Sequence, residues 1–475
     1  MYDVIIIGGG IIGCATAYYL SYYNLRVVLL EKENDVSCGT TKANSAIIHA
    51  GYDPKPNTLM AKHNVLGSKL TKELCEKLDI PYKQCGALVV GFTEDDLNTI
   101  NQLYQRGLDN GVEGLEVLRR EEVLKLEPNL SDEVKGALWA KTSAIVSHWE
   151  YALALAEVSV KNGVELKLNS EVKSIKKDEF FTVETTSGKY NGKYIINTAG
   201  VHSDDIHELI GKKEFTIKPS RGEYYLLDKS EGSRCSRTIF QCPNENGKGV
   251  LVSPTVHGNL IVGPNAESSE KDDVSTVASS LEFVKNNALR SIPSIDFREN
   301  IRNFSGVRAR SDRNDFIVEE SKSVENFFNL AGIQSPGLSA APSLALEAVN
   351  WLKGKEELGK KENAVDERKR LKLKDLSDEN KNELIQKNPA YGKIVCRCES
   401  ITEGEILQCF DTVIPPVSID GVKRRCNTGM GRCQGGFCGE RITNILIDKL
   451  GIKPQEVLQD KEGSNIINSL AKEEH

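Results

Sequence analysis

The chain has 475 residues, 39 % of them hydrophobic and 27 % charged, with a formal net charge of −7 and a pI near 5.7. That length predicts two or three domains and that composition a globular protein, while the charge excludes nucleic acid as the main partner because no basic excess exists to neutralise phosphates. No run reaches the roughly 20 apolar residues of a membrane span. The N-terminus reads as a buried strand rather than a leader, so the expected location is cytoplasmic, with attachment at the inner face of a membrane only through a partner.

Val4–Ile7 is a short apolar run followed at once by Gly8-Gly9-Gly10, a helical pattern runs from Ile11 to Ser21, and a second strand covers Arg26–Leu30 and ends at Glu31. Gly8-x-Gly10-x-x-Gly13 falls at the turn of this βαβ opening. Gly8 permits the tight turn, Gly10 lets backbone approach a pyrophosphate, and Gly13 packs helix against strand. The helix N-terminus adds free N–H groups and a positive dipole end, and Glu31 is placed to accept hydrogen bonds from ribose hydroxyls. The fingerprint leaves FAD and NAD both open. The next segment, Gly39 to Gly51, is rich in small residues and ends an apolar strand at His49, a pattern that lets a chain pass close under a flat ring.

Helices dominate from Thr58 to Asn110, with Leu66, Leu70 and Leu74 at helical spacing. Val164–Leu168, Glu171–Ile175, Phe181–Thr185 and Tyr194–Ile196 predict a meander, with turns at Ser187-Gly188 and Asn191-Gly192 and a closing Asn197-Thr198-Ala199-Gly200. Residues 217–318 alternate β-rich segments with turns, Phe327–Leu330 is a strand running into Ala331-Gly332, and Ala340–Leu352 is a helix. Residues 355–387 are dense in Lys, Glu and Asp and predict an exposed helical linker, with Arg368-Lys369-Arg370 and Lys372 on a solvated face. From Asn388 the composition changes again.

Of twelve cysteines, Cys14, Cys38, Cys75, Cys85, Cys235 and Cys242 are scattered and read as packed or surface thiols. Cys396-Arg-Cys398 and Cys433-Gln-Gly-Gly-Phe-Cys438 are paired tightly, beside Gly429, Gly431, Gly435 and Gly436. Four thiolates suit zinc or an iron–sulfur cluster, and glycines let backbone N–H groups approach sulfur. Zinc usually takes C-x2-C pairs, and neither pair has that spacing. Cys409 reads as core, and Cys426 as a packed thiol with a spare ligand as the alternative.

Gly39–Gly51, Asn197–Asp204, Arg221–Tyr225, Asn303–Arg308 and Gly332–Ser339 resemble the D-amino-acid-oxidase-like FAD oxidoreductases, over roughly Met1 to Leu352. The resemblance implies an α/β fold, with a Rossmann-like FAD-binding domain (1–85, 145–215 and 325–354) interleaved with an antiparallel-sheet substrate domain (86–144 and 216–324). It implies FAD held by Gly8, Gly10, Gly13, Glu31, Thr40, Thr41, Asn44, Ser45, Val172, Ala199, Gly200, Gly332, Gly337, Leu338 and Ser339, with His49 beside the isoalloxazine. Covalent attachment through a histidine occurs in parts of that superfamily and stays open here. The stretch Asn388 to Cys438 resembles the bacterioferritin-associated ferredoxin domain, and still more the C-terminal module of anaerobic glycerol-3-phosphate dehydrogenase catalytic subunits. That implies a small C-terminal domain (388–475) holding a 2Fe–2S cluster on Cys396, Cys398, Cys433 and Cys438. At Cys426 the sequence departs from the family, where threonine is common.

A flavin takes a hydride, so an alcohol donor needs a base for its hydroxyl proton and a cation for its anionic group. His49 is the first candidate base and His257 the second. Arg308, which family resemblance places over the flavin, is the first candidate cation and Arg221 the second. Tyr52 is placed to line the same pocket. The combination of flavin domain and iron–sulfur module resembles the anaerobic glycerol-3-phosphate enzymes, which implies a dehydrogenase of sn-glycerol 3-phosphate or a close analogue. The run Asn44–Tyr52 is also similar to L-2-hydroxyglutarate dehydrogenases, which keeps a 2-hydroxy acid as the alternative. The loop Gly332-Ile-Gln-Ser-Pro-Gly337 departs from the Gly-Lys-x-Thr-Thr of the anaerobic glycerol-3-phosphate enzymes. A flavin and iron–sulfur relay without its own substrate is a second class of reading, and an amine or amino-acid oxidase a third. A cluster implies an acceptor: a second flavoprotein, a soluble carrier or a quinone-linked membrane subunit.

Overall fold

The structure, a computed structural model, describes residues 1–243 and 249–469. Strand β1 (Tyr2–Ile7), helix α1 (Ile11–Leu20) and strand β2 (Val27–Leu30) form the opening unit, with β1 and β2 parallel and the side chains of Val4 to Ile7 buried on both faces. A strand covered on both sides needs a continuous apolar run, which is what Val-Ile-Ile-Ile supplies. β1 lies at the centre of an eight-stranded sheet, between β2 and the strand Lys189–Asn197. The strand Phe327–Ala331 pairs in parallel with Lys189–Asn197 and carries Ile317–Glu320 on its far side. Helices His148–Lys161 and Gly337–Lys353 pack on α1 and complete the core.

A second, nine-stranded sheet is built round the long antiparallel pair Ile217–Leu227 and Asn300–Ser311. In that register Ser220 faces Arg308, Gly222 faces Gly306 and Tyr224 faces Phe304. Helix Ala278–Ser291 covers the far side with Val284 and Ala288. The strand Asn300–Ser311 comes so close to the loop after β2 that a Cβ on Gly306 would lie 1.8 Å from the Ala43 carbonyl oxygen. Glycine is therefore required where the two sheets meet.

Three expectations are corrected. The strand Glu165–Lys167 is not part of the meander. It returns from helix His148–Lys161 as a parallel crossover strand on the opposite edge, beside β2. Apolar periodicity does not distinguish a parallel crossover strand from the first strand of a meander. Asn191-Gly192 is not a turn: Gly192 lies inside the strand Lys189–Asn197, where a Cβ would meet Ile5 Cγ1 at 2.8 Å. The closing helix begins at Gly337 rather than Ala340 and keeps Pro342 inside its first two turns.

The charged stretch 355–387 is also corrected. Only Asp378–Lys387 is an α-helix, and residues 355–372 run as an extended strap along the nucleotide domain. Its backbone is pinned by Asn24 N–H to the Gly359 carbonyl (2.8 Å), Lys361 N–H to the Tyr22 carbonyl (2.8 Å) and a reciprocal pair between Asn162 and Val365 (2.7 Å each). Arg368 is buried against Glu157 (2.5 Å), Arg370 pairs with Glu150 (3.1 Å) and Lys372 with Asp79 (3.2 Å). Composition registers the charges but not the acids waiting for them on a distant helix.

The C-terminal module has its own apolar core, with Val395, Ile406, Val422, Ile442, Leu446 and Val457 under the helices Glu403–Gln408, Ile419–Cys426 and Gly439–Leu450. Its most buried link to the nucleotide domain is centred on Asp35, while Lys229–Glu399 (2.8 Å) and Arg432–Glu299 (2.7 Å) tie it to the antiparallel sheet. Both oxygens of Asp35 accept from Arg425 (2.8 and 3.0 Å), and Oδ2 also accepts from Arg424 (3.0 and 3.2 Å). Arg424 reaches on to Asp460 (2.7 Å), which also takes Lys42. Burial alone would raise the pKa of Asp35, but the two guanidinium groups outweigh it and hold it below the usual carboxylate range. Removing one partner of a buried ion network strands the other charge, at about 3–5 kcal/mol. Asp35→Ala is expected to lower the melting temperature and release the module to limited proteolysis, measured by calorimetry and mass mapping. An unchanged digestion pattern would show that other contacts dominate.

Candidate active site

A continuous cleft of about 1440 Å³ runs between the two sheets and along the cluster module. At one end lies the dinucleotide turn. Gly8 has φ +107°, and a Cβ there would strike the Thr198 carbonyl at 2.6 Å. A Cβ on Gly13 would sit 1.9 Å from the Gly8 carbonyl oxygen, so the helix packs on the strand only because Gly13 has no side chain. Gly10 opens on the cleft, with Thr41 Oγ accepting from Ile11 N–H at 3.0 Å beside it. Glu31 is buried, and its oxygens accept from Gly9 N–H (2.6 Å) and Glu33 N–H (2.9 Å). Burial raises its pKa against those two N–H groups. Val172, Ala199 and Gly200 line the same end.

The loop from Thr40 to Ala46 lines the middle. Thr40 donates to the Val307 carbonyl (2.7 Å), and Asn44 donates to the Thr40 and Thr41 carbonyls (3.2 and 2.7 Å), so Asn44 shapes the loop from within. Ser45 and His49 follow on the same wall. The His49 backbone N–H donates to Ser339 Oγ (2.8 Å), its carbonyl accepts from Asn64 (3.0 Å), and its ring lies 5.6 Å from that of Phe240. Gly337 and Leu338, at the N-terminus of the closing helix, also line the cleft, whereas Gly332 (φ +64°) and Ser339 stand behind it as supports.

Arg308 projects into this cleft. Its Nη2 donates to the Asn265 carbonyl (3.1 Å), while the buried Nη1 has no hydrogen-bond partner among the described residues. Beside it stand the hydroxyls of Tyr224 and Ser45, and the Tyr224 ring stacks on Phe304 at 4.8 Å. Arg221 is brought elsewhere. It lies on the opposite face of its strand, where Glu223 (3.3 Å), Glu267 (3.7 Å), Asp273 and Ser275 (2.9 Å) surround it, and it does not line the cleft. Strand alternation explains the difference: Ser220, Tyr224 and Leu226 face the cleft, so Arg221 faces away. Tyr52 is likewise outside the main cleft, packed in the core against Gly107 and reaching only a small side pocket with His49. His257 sits in the turn between strands Leu251–Pro254 and Leu260–Gly263 and stacks on Trp149 (5.5 Å, 10°). Burial, with Lys374 and Lys229 nearby, lowers its pKa to about 4, and His148 on the other side of Trp149 is lowered to about 4 by its own burial. Tyr224, Phe240 and Trp149 are lining residues that sequence patterns did not single out.

In the module the four thiols meet as two pairs, each joining one cysteine from either loop. Cys398 Sγ lies 3.7 Å from Cys433 Sγ, and Cys396 and Cys438 share a hydrogen bond. That bond lowers the Cys396 pKa to about 5. Backbone N–H groups of Glu399 and Gly429 are aimed at Cys396, and those of Gly435, Gly436 and Phe437 at Cys433. Gly429 (φ +78°) and Gly435 (φ +92°) adopt the left-handed backbone this needs, and a Cβ on Gly431 would fall 2.2 Å from Cys398 Cβ. Thiols arranged as two pairs with N–H donors on sulfur fit a binuclear cluster. Among the described residues no three His, Cys, Asp or Glu side chains converge as a single-ion site. Cys426 and Cys409 share a hydrogen bond in the module core, away from these loops. On the cluster side the cleft wall includes Met430 and Gln434.

A dinucleotide cleft closed by a glycine-bounded helix, flanked by a thiolate module, defines a flavin-dependent oxidoreductase with an iron–sulfur outlet. The chain belongs to the FAD dependent oxidoreductase family, whose model matches residues 3–351, and residues 394–448 match the BFD-like [2Fe-2S] binding domain. Its cofactors are FAD and a 2Fe–2S cluster. It is 48 % identical over 478 residues to a glycerol 3-phosphate dehydrogenase of Caloramator mitchellensis, covering 100 % of both chains. It is 32 % identical over 305 residues to the L-2-hydroxyglutarate dehydrogenase of Escherichia coli, covering 62 % of this chain and 71 % of that one. The dithionite-reduced L-alpha-glycerophosphate oxidase of Mycoplasma pneumoniae with FAD bound has a similar structure, with a TM-score of 0.75 and 33 % identity over 78 % of this chain and 99 % of that one. No helix among the described residues is long and apolar enough to cross a membrane.

Proposed function

We propose that this chain oxidises the secondary alcohol of sn-glycerol 3-phosphate to dihydroxyacetone phosphate and passes the electrons through its cluster to an acceptor protein. The observation that carries the substrate class is Arg308, a half-buried guanidinium aimed into the cleft with one nitrogen unpaired among the described residues. A buried cationic donor without a partner favours an anion. Hydroxyls of Tyr224 and Ser45 stand beside it, and donors arriving from several directions suit a tetrahedral phosphate better than a flat carboxylate. The full-length similarity to a glycerol 3-phosphate dehydrogenase supports the same choice.

In this reading Gly8, Gly10 and the N-terminus of α1 receive the pyrophosphate, Glu31 the ribose, and Gly337 and Leu338 close over the ring. His49, fixed by Ser339 and Asn64, removes the hydroxyl proton. FAD, when bound, takes the hydride, and the cluster carries single electrons. Cys396, Cys398, Cys433 and Cys438 hold that cluster, and Met430 and Gln434 lie between it and the cleft. His257, the second candidate base, is stacked on Trp149 and serves in this reading as a wall of the cleft. The test is anaerobic mixing with glycerol 3-phosphate, L-2-hydroxyglutarate and amino acids. The flavin bands should bleach with glycerol 3-phosphate alone; bleaching by the 2-hydroxy acid would replace phosphate with carboxylate in this account.

A further inference from the structure

Phe437 lies in the loop between Cys433 and Cys438 and is 85 % exposed, more than any other large hydrophobic side chain among the described residues. Scattered exposed apolar residues are ordinary, but this one has company. Ile394, two residues before Cys396, is 53 % exposed, and its carbonyl accepts from Arg441 Nη1 at 3.2 Å. That bond sets the strand Ile394–Cys396 beside the first turn of helix Gly439–Leu450, which starts directly after Phe437 and Cys438. Arg397 is exposed and has no partner among the described residues. The thiols follow the same division: Cys398 is exposed and Cys433 half-buried, whereas Cys396 and Cys438 are buried.

We propose that this edge, formed by Phe437, Ile394, Arg397 and Arg441 beside the cysteine loops, is the docking surface for an acidic one-electron carrier protein. The proposal rests on the reading that electrons leave through the cluster. A molecule with a net charge of −7 repels acidic proteins on average, so two arginines gathered at one edge mark where such a partner is attracted and oriented. Glu440 is the acid next to Arg441, while Lys393 and Glu403 satisfy each other at 3.2 Å. An exposed aromatic on a surface that also carries arginines suits a small, transient contact, on the order of 1,000 Å² or less, of the kind redox partners use. Electron balance fixes the stoichiometry. Each alcohol oxidised yields two electrons and two protons. One electron passes from reduced cluster to carrier at each encounter, so two carriers are reduced per alcohol.

The test uses the holoenzyme, an acidic ferredoxin and a basic cytochrome c. Binding of oxidised ferredoxin is measured by calorimetry at several salt concentrations, and its reduction by stopped flow, for the wild type, Phe437→Ala, Arg441→Glu and Arg397→Glu. Expected are a tenfold or greater weakening of ferredoxin binding in Arg441→Glu, a steep loss with salt in the wild type, and slower ferredoxin reduction in all three variants. Flavin bleaching by substrate and the paramagnetic signal of the reduced cluster should stay unchanged. Arg441→Glu, which lies outside the cysteine loops, stands in if Arg397→Glu disturbs the cluster. Unchanged ferredoxin binding in Arg441→Glu, or preference of the wild type for cytochrome c, overturns the docking surface. A wild-type cluster that substrate never reduces overturns the underlying reading instead.

Discussion

Arg308→Ala is expected to lower kcat/KM for glycerol 3-phosphate by about a hundredfold or more while leaving FAD content unchanged. A charged hydrogen bond contributes about 1.5–3 kcal/mol and each 1.4 kcal/mol is tenfold, so one lost bond together with the lost cation reaches that size. FAD retention follows from position: Arg308 stands on the strand Asn300–Ser311 of the antiparallel sheet and donates to the Asn265 carbonyl, away from the dinucleotide turn. Arg308→Lys keeps the charge but loses the fork, so it should recover only part of the loss. Steady-state kinetics with flavin quantified by absorbance decide it. Loss of FAD with ordinary kinetics after reconstitution would make Arg308 a structural residue.

Cys433→Ser should separate the two halves of the reaction. A serine oxygen is a harder, less acidic ligand than thiolate and suits iron–sulfur chemistry poorly. Backbone N–H groups of Gly435, Gly436 and Phe437 are aimed at the Cys433 sulfur and would lose their acceptor. Anaerobic flavin reduction by substrate should keep its rate, because Cys433 does not line the cleft, while delivery to a protein acceptor falls at least tenfold. Cys426→Ser is the control: that thiol donates to the Val422 carbonyl in the module core and should leave the cluster spectrum intact. Equal loss of both steps in Cys433→Ser would show that the module serves only to stabilise the fold.

Much of this was legible because the chemistry sits in short, local patterns. The strand, glycines, helix, strand and acid from Val4 to Glu31 occur in order within one unit, and the structure realises each of them. The cysteine spacing likewise exposed the module. What stayed hidden depends on partners far along the chain. Arg221 and Arg308 look alike in sequence, yet the first is surrounded by Glu223, Glu267 and Asp273 away from the cleft and the second projects into it. Strand alternation from Ser220 to Leu226 could have separated them. The strap bearing Arg368 and Arg370 read as solvated because Glu157 and Glu150 lie more than 200 positions away. Tyr52 looked like a pocket residue from its nearness to His49, but the chain turns it into the core. Asp35 gave no signal at all, since its role exists only once Arg424 and Arg425 arrive from the module.

The central claim is that electrons from a phosphorylated alcohol enter at the flavin and reach the cluster within this one chain. It is tested most directly by mixing the anaerobic holoenzyme with glycerol 3-phosphate, following the flavin bands by stopped flow and freezing samples for paramagnetic resonance. The account predicts flavin bleaching followed by the signal of a reduced 2Fe–2S cluster in the same protein. Bleaching with a cluster that stays oxidised, or no bleaching at all, would contradict it.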